Sequence, residues 1–277
     1  MIKLNGKVVD FKKFPNNETL LDIDLSEMLV ANLAFKYEED GDLIKLMLLK
    51  DYLDQRGILA LKLTIYFMPY SQMDRSENGS PFTLKTIAKF INSMNFDGVT
   101  IIEPHSDVTM ALVDHAIPRY ITIDMLGRVM KEMKFNKETD YLFFPDAGAQ
   151  KRYKDLKGFK HLVGYKSRNF ETGKIDAFQV VGTPPENPGK ILIMDDMTSK
   201  GGTFLGAGNE LKKIGFQEIN LLVAHCQNAV YDGDLLKGDS PIHKIFTTDT
   251  VITKQYEWSN LKYAEKLKIY DIEEVLK

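Results

Sequence analysis

The sequence predicts an α/β protein in which two domains lie side by side, each with a mainly parallel sheet flanked by helices. Short apolar runs alternate with helical segments along the chain, as expected for βαβ units with right-handed crossovers. A set of strand, helix and strand occurs in both halves of the sequence. The length of 277 residues is sufficient for two ordinary α/β domains. We predict that these domains comprise residues 1–137 and 138–277.

The first half is predicted to contain short strands followed by a βαβ unit. The short strands lie within residues 1–24, on both sides of a turn that contains Pro15, Asn16 and Asn17. Periodicity then predicts, in order, a helix at 39–56, a strand at 61–68, a helix at 82–95 and a strand at 99–102. Within the first of these helices, the residues that recur at helical spacing are Leu43, Leu46, Met47, Lys50 and Leu53.

The second half is predicted to begin after a charged connection at 131–140. Its predicted strands are 141–144, 191–194, 219–224 and 244–247, and its closing helix is 272–276. The run at 191–194 consists of four apolar residues in succession, which is typical of a strand that is buried on both faces of a parallel sheet.

Composition limits the classes of protein to which the chain can belong. A formal net charge of -3 argues against a nucleic-acid or anionic-membrane surface as the main partner. No apolar run reaches the roughly 18–20 residues needed to span a bilayer, and the first residues lack the features of a signal peptide. Cys226 is the single cysteine, so an internal disulfide framework and a cysteine-clustered zinc site are excluded. We therefore expect a cytoplasmic protein that binds neither nucleic acid nor membrane.

The stretch at 191–203, ILIMDDMTSKGGT, is the strongest indication of a ligand site. Its apolar run leads into Asp195 and Asp196, and Gly201 and Gly202 follow in a short polar loop. Glycines allow backbone N–H groups to converge on a ligand, and the helix that begins near Thr203 adds the positive end of its dipole. Carboxylates that bind sugar hydroxyls beside a phosphate-binding loop suit a phosphorylated sugar.

Four predicted strands end in polar clusters. These are MDR after residue 68, EPHSD after 102, PDAG after 144 and DDMTSKGGT after 194. Ligands of parallel sheets bind beyond the carboxyl ends of the strands, so the recurrence predicts functional loops at this edge.

These motifs resemble those of the ribose-phosphate pyrophosphokinases along essentially the whole chain. The stretch at 191–203 resembles the sugar-phosphate loop that this family shares with type I phosphoribosyltransferases. MPYSQMDR is similar to the family's nucleotide loop, EPHSD to its metal site, FPDAGAQKR to its Pro-Asp-Ala-Gly segment, YKSR to its catalytic Lys-x-Arg and FPNNE to its adenine-binding hairpin. The resemblance implies two phosphoribosyltransferase-like domains, the first on the ATP side and the second on the sugar-phosphate side.

The resemblance also implies a Mg²⁺-dependent transfer of diphosphate from ATP to the anomeric hydroxyl of ribose 5-phosphate. It assigns catalysis to Lys166 and Arg168, and metal contacts to His105 and Asp146. Nucleotide-binding positions are Phe14, Asn16, Glu18, Gln72, Asp74, Arg75 and His105. Sugar-phosphate positions are Asp195, Asp196, Ser199, Lys200, Gly201, Gly202 and Thr203. Because the adenine-binding hairpin serves a neighbouring subunit in this family, the resemblance implies a homo-oligomer that is at least a dimer.

The sequence departs from the family pattern at several positions. Gln72 and Met73 replace the usual Arg-Gln of the nucleotide loop, and Asn16 replaces an acid of the hairpin. In the sugar-phosphate loop, Ser199 replaces an acid and Lys200 replaces a threonine. This exchange raises the local charge by two units, which favours a substrate with more negative charge at its 5′ end.

Three alternatives therefore stay open. The first keeps the reaction but uses a ribose with a 5′-diphosphate, such as ADP-ribose, as acceptor. The second is a phosphoribosyltransferase that joins a base to the sugar. The third is a non-catalytic regulatory relative, which the presence of His105, Lys166 and Arg168 disfavours.

Overall fold

The computed structural model confirms a mixed α/β fold with mostly parallel sheets flanked by helices. It describes residues 1–23, 28–168, 175–254, 257 and 262–277, and of 166–168 and 175–178 it describes the backbone alone. The chain divides into two compact units, Met1–Tyr120 and Ile121–Lys277. No helix within these described ranges is long and apolar enough to cross a membrane.

The first unit contains a six-stranded sheet and a separate hairpin. Its elements are β1 (Ile2–Leu4), β2 (Lys7–Val8), β3 (Phe11–Lys13), β4 (Thr19–Leu21), β5 (Val30–Phe35), α1 (Gly41–Gln55), β6 (Ala60–Ile65), α2 (Thr83–Asn92), β7 (Gly98–Ile102), α3 (Asp107–Leu112) and β8 (Ala116–Arg119). The sheet has the order β2-β1-β5-β6-β7-β8, in which β5 to β8 are parallel and β1 and β2 are antiparallel. Strands β3 and β4 form the hairpin.

The residues at helical spacing in α1 are not all buried. Met47 is 37% exposed, whereas Leu49 is completely buried with Leu46 and Leu53. Successive residues are separated by 100° around a helix, and the buried arc is centred on the side where Leu49 lies. Lys50 is buried, and its ammonium group lies 2.6 Å from the Asp54 carboxylate.

The second unit contains a seven-stranded sheet. Its elements are α4 (Ile121–Met133), β9 (Tyr141–Phe144), α5 (Ala147–Arg152), β10 (His161–Arg168), β11 (Ile175–Val181), β12 (Lys190–Thr198), α6 (Gly202–Ile214), β13 (Glu218–Cys226), a 3₁₀ turn (Asn228–Asp232), β14 (Lys244–Thr248), β15 (Leu267–Tyr270) and α7 (Ile272–Leu276). The sheet has the order β11-β10-β9-β12-β13-β14-β15, and only β11 is antiparallel to its neighbour.

Helix α4 lies on the second unit, although the sequence-based boundary at residue 137 follows it. Its buried side includes Ile121, Met125 and Val129, and the helix packs against β12, β13 and α7. Apolar contacts therefore place the division of the chain before this helix, while the charged stretch at 131–140 suggested a later one.

The central strand β12 is longer than predicted, and this changes the setting of the acid pair. The prediction ended the strand at Met194 and put Asp195 and Asp196 after it. Instead, the strand runs to Thr198, and its pairing with β13 joins Asp195 to Val223 and Thr198 to Cys226. The polar residues remain in the sheet because β13 continues beside them and supplies backbone partners.

Candidate active site

The glycine loop at 199–201 connects β12 to α6 as the sequence predicted. Gly201 has φ of +83°, and a Cβ atom there would lie 2.0 Å from Leu235 Cδ1. Both the left-handed conformation and the close packing require glycine. A Cβ atom on Gly202 would meet nothing within 4 Å. Gly202 therefore borders open space, and Thr203 follows in the first turn of α6.

The segment after β13 packs directly against this loop. The Gln227 amide donates a 2.9 Å hydrogen bond to the Thr198 carbonyl oxygen. A Cβ atom on Gly233 would lie 2.5 Å from the Lys200 carbonyl oxygen. Lys200 itself is exposed and Ser199 is half-buried. The sequence reasoning missed Gly233 and Leu235, because no local pattern links them to a loop more than 30 residues earlier in the chain.

Asp195 and Asp196 form an ion-pair cluster with Arg152, the last residue of α5. Arg152 Nη1 donates to Asp195 Oδ1 at 3.2 Å and lies 3.4 Å from Asp196 Oδ1. The Asp196 amide also donates to Asp195 Oδ1 at 2.9 Å. The side chains of Arg152, Asp195 and Asp196 are 10%, 14% and 5% exposed. Arg152 is a site residue that the sequence reasoning missed, although it belongs to the FPDAGAQKR segment.

The electrostatic setting of Asp195 is unusual. Burial raises the pKa of this carboxyl well above its ordinary value, and the charge of Asp196 raises it further. The Arg152 guanidinium opposes both effects, and the carboxylate of Asp146 adds a smaller upward contribution. Asp146 is therefore electrostatically part of the same group of side chains.

Asp146 lies at the start of α5, where it caps the helix. Its Oδ1 atom accepts a 3.0 Å hydrogen bond from the Ala149 amide, and the residue is half-buried. Within the described parts of the chain, no cluster of three or more His, Cys, Asp or Glu side chains is arranged to hold a metal ion. Mg²⁺ retains several waters and binds phosphate oxygens, so a site with a single protein carboxylate is compatible with its coordination.

Lys166 and Arg168 lie on strand β10. Lys166 pairs with Phe178 on β11, and the register shifts between Ser167 and Arg168. The side chains of both predicted catalytic residues lie outside the described part of the structure, so their assignment stays a prediction.

In the first unit, the predicted nucleotide loop follows β6. Gln72 is exposed and Asp74 is half-buried. Arg75 is 75% exposed on its side chain, and its Nε atom lies 2.8 Å from Glu77 Oε1 and 4.0 Å from Asp74 Oδ1. Tyr70 has φ of +61°, a conformation that is costly for a side chain of this size and that often marks functional loops.

The EPHSD segment follows the neighbouring parallel strand β7, so it lies at the same edge of the sheet as the nucleotide loop. His105 is half-buried there. Glu103 has φ of +42° and is only 1% exposed, and its amide donates to the Arg119 carbonyl oxygen at 2.8 Å. The sequence reasoning assigned no role to Glu103.

The predicted adenine-binding residues lie at the turn between β3 and β4. Phe14, Asn16 and Glu18 are all exposed, and the Phe14 amide donates to the Glu18 carbonyl oxygen at 2.9 Å. The Glu18 amide donates to Asn16 Oδ1 at 3.2 Å. The expected hairpin is thus present, and its role towards a neighbouring subunit stays a prediction.

Comparisons with known proteins concern the chain as a whole. No family model matches the sequence. A ribose-phosphate pyrophosphokinase from Pyrococcus abyssi is 25% identical over 264 residues, which cover 94% of this chain and 90% of the relative. A second one, from Pyrococcus furiosus, is 26% identical over 260 residues, with coverages of 88% and 86%.

The fold is shared with a solved structure, the phosphoribosylpyrophosphate synthetase from Mycobacterium smegmatis. The TM-score is 0.74 at 19% sequence identity, and the match covers 96% of this chain and 87% of that protein. The sequence relatives bear the name of the family that the motifs resemble. The solved structure shares the fold of this chain, which is the predicted α/β fold. The chain is therefore a homologue of the ribose-phosphate pyrophosphokinases, which are enzymes, and it has the fold of a phosphoribosylpyrophosphate synthetase.

Proposed function

We propose that the protein transfers diphosphate from ATP to the anomeric hydroxyl of ribose 5-phosphate, with phosphoribosyl pyrophosphate and AMP as products. The observation that carries this proposal is the acid pair at the end of β12, directly before a glycine loop that opens α6. Carboxylates accept hydrogen bonds from ribose hydroxyls, and the amides at the start of a helix bind phosphate. The names of the sequence relatives support the same reaction.

In the proposed step, the anomeric oxygen forms a bond to the β-phosphorus of ATP. The bond between this phosphorus and the α–β bridging oxygen breaks, AMP leaves with that oxygen, and the hydroxyl proton is lost. Because the phosphates concentrate negative charge, the protein must supply cations and hold the reacting atoms in line. We assign Lys166 and Arg168 to stabilisation of the transferred group, where a lost preorganised contact costs about 3–4 kcal/mol.

The other predicted residues bind and orient the substrates. Asp195 and Asp196 bind ribose hydroxyls, and residues 199–203 bind the 5′-phosphate. Gln72, Asp74 and Arg75 bind the nucleotide with His105, and Arg75 supplies the cation that contacts its phosphates. Phe14, Asn16 and Glu18 contact adenine in a neighbouring subunit, so the proposal includes a homo-oligomer.

Magnesium is the proposed cofactor. When bound, Mg²⁺ neutralises phosphate charge and orients the transferring group. We assign metal contacts to His105 in the first unit and to Asp146 in the second. Both are half-buried, and imidazole nitrogen and carboxylate oxygen are chemically suitable partners for an ion that is otherwise held by water and phosphate.

A product assay tests the proposal. The protein is incubated with ATP, Mg²⁺ and ribose 5-phosphate, and AMP and phosphoribosyl pyrophosphate are quantified by chromatography and ³¹P NMR. We expect both products in equal amounts, and Lys166→Ala as the matched control should abolish them. If the chain is a phosphoribosyltransferase or a regulatory relative, no AMP will form from ATP.

A second acceptor is favoured by one specific feature, the exchange at Ser199 and Lys200. At 4–6 Å and an effective dielectric constant near 20, one unit charge is worth roughly 3–4 kcal/mol, although solvent around the exposed Lys200 reduces this value. The exchange therefore favours a ribose with a 5′-diphosphate, for which ADP-ribose is the concrete candidate. The same assay with ADP-ribose distinguishes the two acceptors, and the double variant Ser199→Asp, Lys200→Thr should move the preference towards ribose 5-phosphate. Equal turnover of ribose 5-phosphate by wild type and double variant would contradict this explanation.

A further inference from the structure

The acid pair on β12 is a buried arrangement of like charges. Asp195 and Asp196 are adjacent in sequence, and their side chains are 14% and 5% exposed. Two carboxylates with so little solvent repel one another, and each loses hydration on burial. Such a pair keeps a defined orientation only where the protein provides a cation and hydrogen-bond donors. Arg152 provides the cation, through one nitrogen atom that lies within 3.4 Å of both carboxylates.

The position of Arg152 is fixed by the packing around α5. Ala149, one turn earlier, is completely buried, and Tyr153, the next residue, is 1% exposed. The Tyr153 ring stacks on Phe144 with 5.9 Å between the ring centroids. Asp146 caps the start of the helix, and its carboxylate accepts a hydrogen bond from the Ala149 amide. One short helix thus connects the candidate metal contact at its start with the counter-cation of the acid pair at its end.

The contacts also place a positive charge directly at the acid pair. The guanidinium nitrogen of Arg152 lies 3.2 Å from Asp195 Oδ1 and 3.4 Å from Asp196 Oδ1. A divalent cation at those oxygens would meet a fixed positive charge at short distance, which is unfavourable. Neutral hydroxyl groups, by contrast, donate to carboxylates without any charge conflict.

We propose that Arg152 is a positioning residue that holds Asp195 and Asp196 as a pair that binds the hydroxyl groups of the acceptor sugar and not a metal ion. The inference rests on the proposed function, which already assigns ribose hydroxyls to the acid pair, and it adds Arg152 as the residue that positions this pair. In this proposal Arg152 does not contact the sugar itself, because it acts through the two carboxylates.

Binding measurements test this role separately from catalysis. Affinities for ribose 5-phosphate and for ATP are measured by calorimetry on wild type, Arg152→Met and Arg152→Lys, with Lys151→Met as the matched control. Lys151 precedes Arg152 on the same helix and is exposed. Because a hydrogen bond to a charged group contributes substantially, Arg152→Met should weaken ribose 5-phosphate binding by roughly 10- to 100-fold. Arg152→Lys should recover part of the loss, and the ATP affinity and the Lys151→Met variant should not change.

Two outcomes would overturn the proposal. One is an unchanged affinity for ribose 5-phosphate in a folded Arg152→Met protein. The other is an equal loss of ATP and sugar affinity, since this indicates general structural damage. If Arg152→Met does not fold, the comparison of Arg152→Lys with wild type decides, because the selective loss of sugar affinity is expected there too.

A metal readout addresses the second part of the proposal. Binding of Mn²⁺ in the absence of nucleotide is followed by electron paramagnetic resonance in wild type and Asp196→Asn. We expect the same Mn²⁺ affinity in both, whereas a loss in Asp196→Asn would show that the pair is a metal site. If the wild-type protein binds sugar phosphate but releases no AMP, the proposed diphosphate transfer is wrong. The comparison of sugar affinities between wild type and the Arg152 variants still tests the role of Arg152. If neither ribose 5-phosphate nor ADP-ribose binds, both proposals are wrong.

Discussion

Gly233 lies directly against the backbone of Lys200, so that a Cβ atom at position 233 would come within 2.5 Å of the Lys200 carbonyl oxygen. The next nearest atom, Lys200 Cα, would be 3.0 Å away. Backbone atoms cannot move aside as the end of a flexible side chain can. The segment after β13 therefore determines the position of the predicted phosphate-binding loop.

We predict that Gly233→Ala displaces this loop and weakens the binding of ribose 5-phosphate by about tenfold or more, since a displacement of 1 Å at a site can cost 100-fold. The measurement is calorimetric titration with ribose 5-phosphate. Gly238→Ala is the matched control, because a Cβ atom there meets nothing within 4 Å. A Gly233→Ala protein that binds the sugar phosphate as tightly as wild type would show that the position of the loop does not depend on its contact with residue 233.

The two glycines of the loop should respond differently to alanine. Gly201→Ala places a Cβ atom 2.0 Å from Leu235 Cδ1 in a left-handed backbone, so we expect a loss of unfolding free energy of about 1–3 kcal/mol or more. Gly202→Ala introduces no clash and lies at the start of α6, so its unfolding free energy should be unchanged or slightly higher.

The affinity for sugar phosphate provides a second measurement for Gly202→Ala. The added methyl group of Gly202→Ala would occupy the open space beside the loop amides, so the affinity for ribose 5-phosphate should fall although the fold is intact. Urea denaturation and calorimetry provide the two readouts. A stable Gly202→Ala variant with wild-type affinity would place the phosphate elsewhere.

The pH dependence of sugar binding should reflect Asp195. Burial first, and then the charge of Asp196, raise the pKa of this carboxyl well above its ordinary value. As the pH falls through the raised pKa, Asp195 gains a proton, the cluster loses a negative charge, and the affinity for ribose 5-phosphate should fall. The folded state binds this proton more readily than the unfolded state, so the contribution of Asp195 to stability decreases as the pH rises from the ordinary carboxyl pKa to the raised one.

Calorimetry across this pH range tests the prediction, with Asp195→Asn as the control. The control removes the carboxyl of residue 195, while the substrate phosphate ionises in the same way. The difference between the two pH profiles of sugar affinity is therefore caused by the titration of Asp195. Parallel profiles for the two proteins would contradict the assignment.

Cys226 should report on the unfolding of the second unit. The thiol is completely buried at the end of β13, and burial raises its pKa to about 12. Since the thiolate is the reactive form, iodoacetamide at pH 8 should not label the folded protein within hours and should label it rapidly in high urea. Mass spectrometry provides the readout, and no second cysteine complicates it. Fast labelling without denaturant would mean that the strand opens easily.

The sequence predicted the features that depend on local pattern. Apolar runs located β9, β12, β13 and β14, and the glycines located the loop before α6, because burial on both faces and left-handed turns restrict residue types locally. The same reasoning ended β12 too early. Asp195 and Asp196 read as loop residues, and their place in the sheet depends on the neighbouring strand β13.

Contacts between distant parts of the chain were not predictable in this way. The bond from Arg152 to Asp195 spans 43 residues, and Gly233 meets Lys200 across an intervening helix and strand. Such contacts are set by how the elements pack, and the residue types involved are common in exposed loops. The strand β5 was also missed, since the polar Asn32 interrupts the apolar residues of its sequence VANLAF.

Helix α1 shows which of the residues on neighbouring positions are part of the core. Leu49 is completely buried among the core residues of the first unit, while Met47, which belongs to the set at helical spacing, is 37% exposed. Leu49→Ala should therefore reduce the unfolding free energy by about 2–5 kcal/mol, because the truncation leaves a cavity. Met47→Ala should change it by less than about 1 kcal/mol, since little packing is lost and alanine favours helices. Urea denaturation of both variants measures the difference. Equal losses of unfolding free energy would mean that the helix is rotated from its position in the structure.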